Sequence, residues 1–372
     1  MDGIQMVNLK AQYNRLKPEI DAAIQNVCQE GAFIKGRQVA QFETNLAEKI
    51  GVKHVIGVAN GTDALQIALM ALDLESGDEV LIPAFAYAAL PEAVLLLGLK
   101  PIFVDVNEND FLINISDLEN KITNRTRVIA PVHLFGLTAE MDALVDIAQK
   151  HSLYILEDAA QSMGSTYFSE RIFGSSGTLG DIGTTSFFPS KNLGCYGDGG
   201  AIFTNSDTLA AKVRMLANHG QTQKYYHEVI GLNSRLDTIQ AAILNIKIRE
   251  LDEYISRRVQ IAARYNEGLG NVKSIIIPQV KFKTRTHAFH QYTIIVEDGT
   301  RDQLKEFLTE NGVPTMIYYP LPLHKQKAYA TKDVLYVSEQ LCHRVLSLPI
   351  CPDLTSEQQL YIINKIQSFY KS

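Results

Sequence analysis

From His54 to Thr204 the sequence alternates short, nearly all-apolar runs with segments of helical periodicity, and that alternation constrains the fold more than any other feature. The apolar runs are His54 to Ala59, Glu79 to Pro83, Pro101 to Val106, Arg127 to Val132, Leu153 to Leu156 and Ala201 to Thr204. Residues 63–72, 115–122, about 140–151 and 206 to about 217 intervene, and they read as helices. A strand without a polar face has to be covered on both sides, and parallel neighbours need a crossover between them. The expected architecture is therefore α/β, with a mixed, mostly parallel sheet covered on both faces by helices.

Two amphipathic segments, 17–30 and 38–50, precede the sheet and are expected to be packing helices. After the sheet, Asn233-Ser234-Arg235-Leu236-Asp237 opens a long helical pattern with little to stop it before Gly268. A smaller α/β unit follows: strands over 290–296 and 313–319, and helices over 301–311, 336–347 and 355–370. With 372 residues there is material for more than one core, and the expected division is a large domain at 1–255 and a small one at 256–372.

Bulk properties exclude several function classes. The net charge is −6 with no long basic run, so a nucleic-acid surface is not expected. The longest apolar run, Ala93 to Leu99, is far too short for a membrane span, and the N-terminus lacks the pattern of a signal peptide; a cytoplasmic protein is expected. Four cysteines without a CxxC pair suit a reduced setting. His287 and His290 share HxxH spacing, but no ligand set accompanies them, so no metal site is expected.

The candidate chemistry clusters at predicted strand ends. Lys191 follows the apolar stretch Thr184 to Phe188 and a proline, and precedes a glycine-rich loop. An amine held there, with its charge disfavoured, can attack a carbonyl. Asn60-Gly61-Thr62 joins a strand to a helix, and such a helix start presents free N–H groups and a likely capping hydroxyl to a phosphate. Tyr87 stands just past a strand, placed either to stack on a flat ring or to fill core. Asp158 and Gln161 lie three apart at an expected helix start, one able to accept from a protonated nitrogen and the other to donate to an oxygen. Each has a plainer reading taken alone: a solvated lysine, a capped turn, a helix-capping aspartate. Together they match the needs of pyridoxal phosphate: a lysine for its aldehyde, a carboxylate for its pyridinium nitrogen, a donor for its ring oxygen, an anion pocket and an aromatic lid. The ring's positive charge should keep Asp158 ionised.

Four runs in order, Asn60-Gly61-Thr62-Asp63-Ala64-Leu65, Glu157-Asp158-Ala159-Ala160-Gln161-Ser162, Ser186-Phe187-Phe188-Pro189-Ser190-Lys191 and Asn233-Ser234-Arg235-Leu236-Asp237, resemble the DegT/DnrJ/StrS nucleotide-sugar aminotransferases almost end to end. The resemblance implies the aspartate-aminotransferase-like fold of pyridoxal-phosphate enzymes and a homodimer with active sites shared between subunits. It implies that Lys191 holds the cofactor covalently and later moves protons, that Asp158 meets the ring nitrogen and Gln161 the ring hydroxyl, and that Tyr87 stacks on the ring. Gly61, Thr62 and Ser186 would bind the phosphate, and Asn233 would reach the phosphate in the neighbouring subunit. Some relatives carry histidine in place of the lysine and act as sugar dehydratases, so Lys191 points to amino transfer, with L-glutamate charging the cofactor to its pyridoxamine form in a ping-pong cycle.

Phe187 to Asn205 and Asn233 to Leu244 look most like family members that aminate C3 of UDP-2-acetamido-2-deoxy-3-oxo-glucuronate, on the way to a diacetamido uronic acid of O-antigen. That resemblance makes Arg235 a candidate for the sugar carboxylate, the alternative being an ion pair within the protein. Such relatives commonly carry His-Tyr-Pro where this chain has Tyr318-Tyr319-Pro320, which keeps dTDP-linked 3-keto-deoxysugars as a second substrate class and leaves Tyr318 and Tyr319 as candidate sugar contacts. A pyridoxal-phosphate-binding sensor or scaffold without turnover is the alternative of a different kind. No GxGxxG opens a helix after a strand, as a nicotinamide dehydrogenase would require.

Overall fold

The computed structural model describes residues 3–279 and 281–371. The chain begins with α1 (Leu9–Glu30) and α2 (Arg37–Ile50), each ended by a glycine in the left-handed region, Gly31 and Gly51. The alternating region then gives β1 (His54–Val58), α3 (Gly61–Ala71), β2 (Glu79–Pro83), α4 (Ala89–Leu96), β3 (Lys100–Val104), α5 (Ile115–Asn120), β4 (Thr126–Ile129), α6 (Met141–His151) and β5 (Tyr154–Asp158). A hairpin of β6 (Thr166–Phe168) and β7 (Phe173–Ser175) leads to β8 (Ile182–Ser186), β9 (Gly200–Thr204) and α7 (Asp207–Leu216).

Among the described residues these form a seven-stranded sheet in the order β1-β9-β8-β5-β4-β2-β3. All neighbours pair in parallel except β9, which runs antiparallel to both β1 and β8. Alternate side chains serve opposite cores, as strand geometry requires. Val80 and Ile82 of β2 join the cluster under α3, α4 and α7, while Leu81 between them packs with Leu144 and Ile147 of α6. Near β1 and β9 the second face is covered by Phe42 and Leu46 of α2 and by Ala241 and Leu244 of the helix that follows.

A small hairpin, β10 (Gln221–Gln223) with β11 (Tyr226–His227), precedes that helix, α8 (Thr238–Lys247). A single 3-10 turn at Ile248–Glu250 separates α8 from α9 (Leu251–Leu269), so the expected long helix is present with one irregularity. It begins later than the sequence suggests, because residues 233–237 are not helical and Ile34 bridges Asp237. The C-terminal part contains β12 (Ile275–Ile276), β13 (Tyr292–Val296), α10 (Arg301–Glu310), α11 (Tyr336–Arg344), β14 (Val345–Leu348) and α12 (Ser356–Phe369). Its antiparallel three-stranded sheet packs with α9, α10 and α12 around a core of its own. The proposed domain limit at residue 255 falls inside α9.

Three expected elements differ. Residues 313–319 are not a strand: Met316 makes one bridge to Ser347, and the Tyr318–Tyr319 peptide is cis. Pro314, Pro320 and Pro322 lack the N–H groups a ladder needs. The helix expected to reach residue 347 ends at Arg344, since Val345–Leu348 pairs with β13. No helix starts at Asp158; residues 160–164 form tight turns. No helix among the described residues is long and apolar enough to cross a membrane.

One buried group governs the centre of the sheet. Glu157, fully inaccessible, accepts hydrogen bonds from the N–H groups of Gly177 (2.9 Å), Leu179 (2.6 Å) and Gly180 (2.6 Å). It also faces His133 Nε2 at 2.7 Å. His133 Nδ1 accepts from Ala139 N–H at 3.0 Å, so the ring proton lies on Nε2 and points at Glu157. Four donors on one carboxylate offset the cost of burying it. Replacing Glu157 by Gln aims an NH₂ group at some of those donors. Glu157→Gln is expected to lose about 3 kcal/mol of unfolding free energy, read by denaturant titration.

Candidate active site

A cavity of about 480 Å³ opens where β5 and β8 end and α3 begins. Nine of the eleven candidate residues line it: Gly61, Thr62, Tyr87, Asp158, Gln161, Ser186, Lys191, Tyr318 and Tyr319. They arrive from five separate stretches of sequence.

The helix start is built by Asn60, not by Thr62 as the sequence suggests: Asn60 Oδ1 accepts from Asp63 N–H at 2.8 Å, and Asn60 O from Ala64 N–H at 3.1 Å. The N–H groups of Gly61 and Thr62 precede the first intrahelical bond, and the Thr62 hydroxyl is released from capping. A Cβ on Gly61 would lie 2.8 Å from Ser186 Cβ, so only glycine lets the helix start meet the end of β8. The result is a cradle of N–H and hydroxyl donors at a positive helix end, suited to a phosphate.

Lys191 leaves β8 through a tightly bonded loop. Phe187 N–H donates to Gly199 O (2.7 Å), Lys191 N–H to Phe188 O (2.8 Å) and Cys195 N–H to Phe187 O (2.8 Å). From outside, α8 braces the loop: Gln240 exchanges two hydrogen bonds with the Tyr196 backbone, and the buried Lys247 ammonium donates to Gly194 O. Lys191 reaches into the cavity and stays partly accessible there, yet the surrounding protein strips away much of its hydration. Burial lowers its pKa to about 8, with the Asp158 carboxylate pulling the other way.

Asp158 sits at the last residue of β5, beside the anchored Glu157. Its Oδ1 accepts from Ala160 N–H at 3.0 Å, and Oδ2 has no hydrogen-bond partner among the described residues. Burial pushes the Asp158 pKa up, against the pull of the Ala160 N–H, Lys191 and His133. This differs from the expected low value, which required a cationic ring opposite the carboxylate; the protein's own groups alone do not supply that charge. Gln161 is polarised by its contacts. Its Oε1 accepts from Phe135 N–H at 2.8 Å, which leaves Nε2 to donate, toward Tyr319 OH at 3.1 Å and into the cavity. Tyr87, 64 % exposed, stands 6.5 Å from the Tyr319 ring, so its own ring is free to cover a ligand.

Asn233 and Arg235 lie elsewhere. Asn233 is exposed and bridges Asn218, and Arg235 lines a separate cleft of about 280 Å³ with Lys35, Glu43 and Arg214. In this single chain neither reaches the cavity. His290 and Gln291, which sequence reasoning did not place in the site, do line it. His290 had only its HxxH spacing as a signal, which concerned metals, and Gln291 had none. What brings them in is a backbone contact between residues 288–291 and the Leu134–Gly136 turn.

A phosphate cradle, an unpaired carboxylate oxygen, an oriented amide donor and a desolvated lysine in one cavity fit pyridoxal phosphate. The DegT/DnrJ/EryC1/StrS aminotransferase family matches residues 14–367. The chain belongs to that family. UDP-2-acetamido-2-deoxy-3-oxo-D-glucuronate aminotransferase of Pseudomonas aeruginosa is 45 % identical over 94 % of this chain and 96 % of the relative. UDP-N-acetyl-3-dehydro-α-D-glucosamine 3-aminotransferase of Acidithiobacillus ferrooxidans is 43 % identical over 95 % of both. The structure of NtdA from Bacillus subtilis with bound pyridoxamine phosphate superposes with a TM-score of 0.92 at 32 % identity, covering all of this chain and 86 % of that one. As a member of this family the protein is a pyridoxal-phosphate-dependent sugar aminotransferase.

The lowered Lys191 pKa has a direct readout. Below its pKa the ammonium is inert, and above it the free amine reacts. In cofactor-free protein, competitive acetylation of Lys191 by acetic anhydride is expected to rise with a midpoint near pH 8, well below an exposed lysine. A midpoint above pH 10 shows that the cavity does not desolvate it.

Proposed function

We propose that the protein transfers an amino group from L-glutamate to the C3 keto carbon of a nucleotide-linked sugar, in a ping-pong cycle through Lys191. The substrate we favour is UDP-2-acetamido-2-deoxy-3-oxo-glucuronate, made in the cytoplasm for a surface polysaccharide such as O-antigen. The observation that carries this reading is the juxtaposition of Lys191, its pKa lowered to about 8, with Asp158 and the Gly61–Thr62–Ser186 cradle in one cavity.

In this reading Gly61 and Thr62 N–H groups and the Ser186 hydroxyl bind the phosphate, Asp158 Oδ2 accepts from the ring nitrogen, and Gln161 Nε2 donates to the ring oxygen. Tyr87 covers the ring face. When bound, the cofactor supplies an electron sink for the carbon that carries the amine. Lys191 Nζ, released as a free amine, takes the proton from the donor's α-carbon and returns one to the acceptor's C3. A basic form near neutral pH suits that task, since a lysine at its ordinary pKa would hold its proton.

We also propose a homodimer with composite sites. Asn233 and Arg235 lie outside the cavity of their own chain, and a second copy is the natural source of both, Asn233 for the phosphate and Arg235 for the sugar carboxylate. Two bonds from a guanidinium to a carboxylate are worth about 1.5–3 kcal/mol. A second reading has its own support: Lys191 is the only lysine or arginine among the described residues lining the cavity. Without a cation from a partner, a keto-sugar lacking a carboxylate fits better, whether UDP-linked or a dTDP-linked 3-keto-deoxysugar.

The visible absorbance of purified protein with pyridoxal phosphate is expected to bleach on adding L-glutamate and to return with the correct keto-sugar nucleotide, whereas Lys191→Ala does neither. A protein that binds the cofactor and never bleaches with any amino donor supports a sensor or scaffold instead. Arg235→Lys is expected to lower turnover of the uronate at least tenfold and to leave a 3-keto sugar without a carboxylate unchanged. Equal activity on the uronate removes Arg235 from the site.

A further inference from the structure

The cavity is also lined by a polar side chain with no task in the scheme above. His290 lines the cavity at 6 % exposure. Its Nδ1 is buried without a partner, and neither ring nitrogen makes a hydrogen bond among the described residues. With Nδ1 sealed and no protein partner on either nitrogen, Nε2 is the one ring nitrogen left to meet whatever occupies the cavity.

The backbone that carries the ring is held in place from two sides. Gly136, at φ 110°, lies so close to this segment that a Cβ there would come within 2.8 Å of Phe289 N and 2.9 Å of His290 N. Gln291 N–H donates to Phe135 O at 3.2 Å and Ala288 N–H to Gly136 O at 2.8 Å. From the other side, buried Arg258 donates Nη1 to the carbonyls of Phe289 (3.0 Å), His290 (3.3 Å) and Ile350 (3.1 Å). The His290 backbone is therefore clamped to the same turn that orients Gln161.

Its protonation follows from what surrounds it. Burial and the positive charges of Lys191 and Arg258 all hold the imidazole pKa well below its ordinary value, so the ring is neutral and carries one proton. An orphaned N–H is rarer in protein interiors than an under-used acceptor. The proton therefore belongs on Nε2, the nitrogen open to the cavity, and sealed Nδ1 keeps its lone pair.

The cofactor already has its partners. In the reading above, Gly61, Thr62, Ser186, Asp158 and Gln161 take the phosphate, ring nitrogen and ring oxygen, which leaves His290, Gln291, Tyr318 and Tyr319 among the remaining polar lining residues. We propose that His290 Nε2–H donates a hydrogen bond to a sugar oxygen next to the carbon that receives the amine, making His290 a specificity-determining residue for the sugar and not for the nucleotide. A neutral donor matches a hydroxyl or carbonyl oxygen and does not need a charged sugar, so this holds for either substrate class considered above. It rests on the aminotransferase reading of the cavity.

The test uses protein loaded with pyridoxamine phosphate and titrated calorimetrically with UDP-N-acetylglucosamine, which has no keto group to react, and with UDP. The pair dTDP-glucose and dTDP is run in parallel. His290→Phe is expected to weaken the sugar nucleotide at least tenfold and to leave the bare nucleotide within twofold. His290→Gln, which keeps a donor, is expected to recover a large part of the loss. His290→Ala is measured alongside so that the fit of a phenyl ring does not decide the result, and cofactor absorbance checks that each variant is folded. Unchanged sugar-nucleotide affinity, or equal weakening of sugar nucleotide and bare nucleotide, overturns this inference alone. A wild-type protein that does not bind pyridoxamine phosphate overturns the aminotransferase reading and this inference with it.

Discussion

A buried carboxylate, Glu157, sets the geometry on which the site depends. Its hydrogen bonds to Gly177, Leu179, Gly180 and His133 tie the end of β5 to the loop leading into β8 and to the segment after β4. Asp158 is the next residue. Successive strand residues point to opposite faces, so anchoring Glu157 inward aims Asp158 toward the cavity. The pair divides two tasks that one carboxylate cannot perform: Glu157 spends its acceptor capacity on structure, and Asp158 keeps an oxygen free.

A second constraint joins the C-terminal part of the chain to the first. The Leu134–Gly136 turn holds Gln161 through Phe135 N–H and holds residues 288–291 through Phe135 and Gly136 backbone bonds. Phe135 itself has φ 57°, and Gly136 admits the close approach. One turn therefore fixes the Gln161 amide and the His290–Gln291 part of the cavity lining together. Lys191 lines the same cavity from a loop braced by α8, so its amine is held by contacts from outside the cavity while its end faces inward. The desolvation that lowers its pKa is a property of this enclosure and not of the lysine's immediate sequence.

Much of this was legible beforehand, for identifiable reasons. All-apolar strands between amphipathic segments admit few arrangements, and the sheet followed from them, including the placement of Lys191, Asp158 and Gly61 at its edge. The misread places share a cause. Residues 313–319 look like a strand because they are apolar, but the prolines nearby remove ladder donors. Val345–Leu348 looks like the end of a helix because its pairing partner, β13, is about fifty residues away. Asp158 looks like a helix cap because a short polar run after a strand has that appearance, although Glu157 and the tight turns beyond it decide otherwise. His290 was passed over because its meaning lies in the Gly136 contact, more than 150 residues distant in the chain.

The sequence by itself determined the alternation of strands and helices between β1 and α7, a mixed and mostly parallel sheet, and the residue types offered at its strand ends, since periodicity and turn chemistry are local properties written in neighbouring residues. Only the tertiary structure decided which of those residues meet. It placed Gln161 with its amide oxygen on Phe135 and its nitrogen on Tyr319, kept Asn233 and Arg235 out of their own chain's cavity, and brought His290 into the lining. Those outcomes depend on desolvation and on contacts between distant backbone segments, and both exist only once the chain has closed on itself.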